Sequence, residues 1–148
     1  MLEVREGTMK GGLPYISVGE GPPLVVFVAG GPTNANPTGW QRRYEVSWLS
    51  PLARGGFTVY RVNRKIGLRR GVTMADFAGD YALALESEFA SPVDVLGIST
   101  GGMIAQQFAL DHTDLLRRLV LGGAAYTLGP IAREAERRSA RFASGGQY

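Results

Sequence analysis

Two hydrophobic patterns alternate along the chain. In the first, apolar residues cluster in short segments: Leu24-Val25-Val26-Phe27-Val28 without a break, and Phe57 to Val62, Val93 to Leu96 and Leu116 to Leu121 with polar or charged residues between the apolar ones. These runs are rich in β-branched and aromatic residues and bounded by Gly or Pro, which predicts strands; the unbroken run at 24–28 predicts a strand buried on both faces. Leu2 to Arg5 and Leu13 to Val18 predict two more, joined through Lys10-Gly11-Gly12, where glycine can supply a positive φ. In the second pattern apolar residues recur at helical spacing. Trp40, Tyr44, Trp48, Leu49 and Leu52 predict a helix disturbed at Pro51 and closed by Gly55-Gly56. Thr73 caps a helix through Phe89 whose Met74, Phe77, Ala78, Tyr81, Leu85 and Phe89 share one face. Further helices are predicted from Gly102 to Asp111 and from Pro130 to Phe142. Strands alternating with helices predict an α/β fold, a mostly parallel sheet with helices on both faces.

Composition narrows the chemistry. The 148 residues suit one compact domain, and 45% hydrophobic with 20% charged residues is ordinary for a globular protein. Without cysteine there are no disulfides, thiolates or cysteine-based zinc sites, and one histidine excludes a multi-histidine metal site. No cofactor is implied. Basic residues cluster at Arg61, Arg64, Lys65, Arg69 and Arg70, and again at Arg133, Arg137, Arg138 and Arg141. Neither cluster is interleaved with stacking aromatics, so both read as solvated faces rather than nucleic-acid sites. Trp40, Tyr44 and Trp48 are assigned to the core. The N-terminal MLEVREGTMKGG lacks an apolar signal region, and the longest apolar run, Leu24 to Ala29, falls short of the roughly 20 residues that span a bilayer. A soluble cytoplasmic protein with no membrane partner is the expectation.

One segment carries chemistry. Val93 to Leu96 leads through Gly97-Ile98-Ser99-Thr100-Gly101 into a helix rich in small residues: strand, G-x-S-x-G, helix. A serine on so sharp a turn has a strained backbone that lifts its hydroxyl clear of the sheet. Gly97 and Gly101 flank it because side chains there would clash as strand and helix close together. Ser99 is therefore the candidate nucleophile. The new helix aims its N-terminus at the site, making the Thr100 N–H a candidate oxyanion donor.

With Ala29-Gly30-Gly31-Pro32 following the buried strand, and Leu-Leu-Arg-Arg-Leu-Val-Leu following the elbow, the chain resembles the α/β-hydrolase family through its first six strands. That resemblance implies a serine hydrolase acting on an ester, amide or similar acyl substrate. It also implies a second oxyanion N–H from the glycine loop, Gly31 first and Gly30 second. The family often has histidine where Ala29 stands and a D-x-R-G-x-G-like turn at Asn63 to Gly67. Its acid and histidine follow later strands, so the chain reads as truncated after the sixth strand, with residues 1–129 the core and 130–148 the start of a lid or cap. The partners implied are a small acyl substrate and either a missing C-terminal half or a second copy at the open sheet edge.

The only histidine, His112, lies 13 residues beyond Ser99 at the far end of the helix. At 1.5 Å per residue that is roughly 16 Å or more from the hydroxyl, too far for a general base. Asp76 and Asp80, early on their helix, suit its dipole rather than catalysis. Two readings stay open: a serine hydrolase working through Ser99, and a non-catalytic module of the same fold that binds a small molecule or partner. Nucleotide binding on a doubly wound sheet has no phosphate-loop motif to support it.

Overall fold

A computed structural model describes residues 2–30 and 33–144. The chain opens with an antiparallel hairpin, β1 (Val4–Met9) and β2 (Leu13–Val18), in which Met9 pairs with Leu13. Gly11 and Gly12 turn it with φ of 84° and 85°. β1 starts two residues later than its apolar pattern predicts and runs on through Glu6 and Thr8. It is an edge strand, where the backbone ladder forms whatever side chains point outward, so the turn sets its extent.

β3 (Pro23–Phe27), β4 (Thr58–Val62), β5 (Val93–Ile98) and β6 (Leu116–Gly122) complete a six-stranded sheet of order β1-β2-β4-β3-β5-β6. β2 joins β4 antiparallel, and the β4-β3-β5-β6 part is parallel. The central strand β3 feeds both layers. Leu24, Val26 and Val28 pack on one face with Leu49 and Ala53 of α1 (Gly39–Arg54). Val25 and Phe27 pack on the other, with Tyr81 of α2 (Met74–Glu88) and Phe108 of α3 (Thr100–Asp111). The Phe27 ring lies 4.0 Å from that of Tyr81 and meets Phe108 edge-on at 5.4 Å. The Tyr81 hydroxyl donates to the Val62 carbonyl, and burial raises its pKa. This is the α/β architecture expected from the alternating patterns, with helices on both faces.

Several local expectations need correction. α1 runs unbroken through Pro51. The carbonyl that Pro51 leaves without an intrahelical donor belongs to Ser47, which is exposed, so water can take that bond. The buried stripe of α1 is Leu49 and Ala53; Trp40 is 73% exposed and Tyr44 66%, and only Trp48 packs partly against the core. α3 begins at Thr100 rather than Gly102, because the Gly102 and Met103 N–H groups both donate to the Ser99 carbonyl and start the helix directly after the serine. α2 carries the expected cap: Thr73 and Asp76 bond reciprocally across side chain and backbone. That bonding holds the Asp76 carboxyl below the usual range. α4 (Pro130–Ser144) closes the described chain.

Candidate active site

Ser99 sits between the end of β5 and the start of α3 with φ 53° and ψ −120°, the only non-glycine among the described residues with positive φ. Three anchors impose that conformation. Its N–H donates 3.0 Å to the Gly122 carbonyl at the end of β6, and its own carbonyl accepts from Gly102 and Met103. Two flanking glycines allow the strand and helix to close. A Cβ on Gly97 would lie 2.7 Å from both the Ala105 Cβ and the Gly102 Cα. A Cβ on Gly101 would overlap the Phe27 carbonyl, so α3 packs its first turn against the end of β3. Neither glycine has positive φ; close approach is their reason. Gly102, not singled out from sequence, belongs with them, since a Cβ there would overlap the Ala124 side chain.

The Ser99 side of the molecule is open. Ser99 is exposed and lines a cleft of about 880 Å³ together with Gly30, Thr33, Asn34, Arg64, Phe77 and Thr100. Thr100 is the first residue of α3, so its N–H has no intrahelical acceptor. Gly30 abuts it: a Cβ there would stand 3.1 Å from the Thr100 Oγ1. Elbow and glycine loop are thus neighbours, although 70 positions separate Gly30 from Thr100. Gly31 lies outside the described residues. From above, α4 contributes Glu136, Ser139 and Ala140 to the same cleft. A second cleft of about 820 Å³ lies along α1, walled by Trp40, Tyr44 and Trp48, of which only Trp48 also packs against the core.

Two arginines expected on a solvated face are buried, Arg61 at 7% exposure and Arg64 at 6%. Arg61 is neutralised by Glu45, at 3.2 Å, and Glu45 also accepts from the Trp48 indole. Arg64 turns into the Ser99 cleft, where its guanidinium donates to the Ala29 carbonyl and to the Asn34 side chain at 3.3–3.4 Å. Burial, ahead of the charge effects of Tyr81 and Arg61, pulls its pKa down. Asn34 in turn donates to the Lys65 carbonyl at 3.0 Å. This pair straps the loop after β3 to the turn after β4. Sequence reasoning missed the strap; the turn at Asn63 to Gly67 was its only signal.

His112 caps the far end of α3, its ring 5.5 Å from that of Phe108. Asp80 is engaged by Lys65 at 2.8 Å, and Asp76 by Thr73. None of the three lines the Ser99 cleft.

A sharp strand-to-helix turn holding a serine at positive φ, beside a glycine loop on a parallel sheet, is matched at sequence level. A model of the alpha/beta hydrolase family matches residues 25–147. The chain belongs to the alpha/beta hydrolase family. Solved structures agree with the fold. The non-heme bromoperoxidase named BpoC, from Mycobacterium tuberculosis H37Rv, is 23% identical with a TM-score of 0.73, over 96% of this chain and 52% of that one. A hydrolase from Pseudomonas aeruginosa PA01 is 25% identical with a TM-score of 0.67, over 93% and 52%. The epoxide hydrolase CorEH is 22% identical with a TM-score of 0.66, over 93% and 50%. The chain spans about half the length of these structures. A search of curated protein sequences gives no match. No helix among the described residues is long and apolar enough to cross a membrane.

Proposed function

We propose that Ser99 is the nucleophile of a serine hydrolase acting on an ester, amide or similar acyl substrate. The observation that carries this reading is the backbone of Ser99 at φ 53° and ψ −120°. A non-glycine residue in that region costs on the order of 1–3 kcal/mol, and here it exposes a hydroxyl at a helix N-terminus. In the proposed reaction the Ser99 Oγ attacks the acyl carbon while its proton passes to a general base. The Thr100 N–H, with Gly31 or Gly30 from the adjoining loop, receives the negative oxygen. Collapse expels the alcohol or amine, and water then releases the acid. His112 is not that base, and we assign the proton to a histidine outside the 148 residues. Gly97 and Gly101 shape the elbow. Residues 1–129 form the catalytic core, and α4 within 130–148 begins a lid over the cleft. Neighbours named for peroxidase and epoxide chemistry share the fold, so substrate choice rests on the cleft.

The test is labelling with a fluorophosphonate, read by intact mass and peptide mapping, on protein expressed from its complete gene. Wild type should be modified at Ser99, Ser99→Ala should not, and His112→Asn should label like wild type. Equal labelling of Ser99→Ala, or a folded wild type that stays unlabelled, would sink the reading in favour of a non-catalytic binding module.

A further inference from the structure

The cationic side chain in the Ser99 cleft has no counter-ion among the described residues. Arg64 is 6% exposed as a residue, and its guanidinium bonds within the protein to two neutral acceptors, the Ala29 carbonyl and the Asn34 side-chain oxygen. Nearby carboxylates are already engaged: Glu45 with Arg61, Asp80 with Lys65, and Asp76 with the Thr73 cap. Among the described residues none forms an ion pair with Arg64. A buried charge left in that state is costly, and an anion that enters beside it recovers the cost.

The charge is held where a substrate would lie. Arg64, Gly30, Ser99 and Thr100 line one cleft, and the apolar side chains of Ile66, Leu68 and Phe77 complete its wall. Bonds to Ala29 and Asn34 use Nε and Nη2, which leaves Nη1 as the donor for a ligand. The strap through Asn34 to the Lys65 carbonyl fixes the group in advance, so binding need not order it. One carboxylate shares the cleft, that of Glu136, but this residue is exposed on α4, where four arginines outnumber two glutamates.

We propose that the Ser99 cleft takes an acyl substrate bearing a carboxylate, which Arg64 binds through a charge-assisted hydrogen bond. The assignment of this anion as a substrate rests on Ser99 being the nucleophile; the anion site itself does not.

The experiment compares 3-phenylpropanoate with its neutral isostere 3-phenylpropanamide, by calorimetric titration of the full chain. A hydrogen bond to a charged group predicts that the carboxylate binds about tenfold or more tightly than the amide. Arg64→Gln should erase that preference, Arg64→Lys should keep part of it, and Glu136→Gln should leave it or enlarge it. Amide NMR shifts on adding the carboxylate to wild type should centre on Gly30 and Thr100, a readout independent of how the variants fold. Equal affinity of the two ligands would overturn the proposal. So would no binding of either up to its solubility, a preference that survives in Arg64→Gln, or shifts confined to Arg69 and Arg70. Ser99 labelled without a carboxylate preference overturns this assignment alone. A preference without labelling overturns the acyl-transfer reading and with it the substrate role, leaving an anion site.

Discussion

Replacing Ser99 with glycine should make this protein more stable, although it removes the proposed nucleophile. The serine holds φ 53° and ψ −120°, a region that L residues rarely adopt. Holding a side chain there costs roughly 1–3 kcal/mol, which glycine does not bear. Glycine also has more freedom in the unfolded chain, which takes back about 0.5–1 kcal/mol. The net gain is about 1 kcal/mol, and for a domain of this size that raises Tm by about 2–4 °C. Ser99→Ala keeps the Cβ and so keeps the strain; the exposed hydroxyl it removes is worth little, and its melting point should stay near wild type. The difference between the glycine and alanine variants isolates backbone strain from hydroxyl chemistry. Calorimetric or urea melts of the three proteins measure it. A glycine variant that melts at or below the alanine variant would refute the argument that the elbow stores strain.

Two further substitutions probe the frame around the elbow. Gly101→Ala would set a methyl on the Phe27 carbonyl, backbone that has no rotamer to give, so α3 must retreat from β3. Overpacking of this kind costs about 1–3 kcal/mol, and the variant should lose both that stability in urea melts and its Ser99 labelling. Asp94→Asn tests the link between β5 and β6. Asp94 is buried at 6% exposure and accepts from Arg117 at 2.9 and 2.7 Å, and that bonding, chiefly, holds its carboxyl below the usual range. A depressed folded pKa stabilises the fold above the unfolded value of about 3.9, and the contribution is lost as pH falls through the lower folded value. The Tm gap between wild type and Asp94→Asn should therefore be full near neutrality and close in strong acid. A gap that persists in strong acid would remove the ion pair as its cause.

Much of the fold was legible in the residue pattern because burial sets periodicity. The run at Leu24 to Val28 is apolar at successive positions because both faces of the sheet are covered at this strand. Thr73 announced the start of α2 because a cap is a local arrangement within one turn, and the structure adds Asp76 as its reciprocal partner. G-x-S-x-G marked the elbow for the same reason: the clashes relieved by Gly97 and Gly101 recur wherever a strand turns this sharply into a helix. Where periodicity alone was used to infer depth, it failed. Trp40, Tyr44 and Trp48 recur at helical spacing, but on a different face of α1 from the buried Leu49 and Ala53, and they line a cleft.

What the sequence determined by itself was local: which segments extend, which coil, where the chain must turn, and that Ser99 stands on such a turn. Tertiary structure decided which distant groups meet there. Gly30 reaches Thr100 only because β3 and β5 are parallel neighbours that end on the same side of the sheet. Arg64 is a basic residue in a basic stretch by its sequence. It is a buried cation beside the proposed nucleophile because the turn after β4 folds under the loop after β3. Burial and charge pairing depend on contacts across the whole chain, and no short window of residues encodes them.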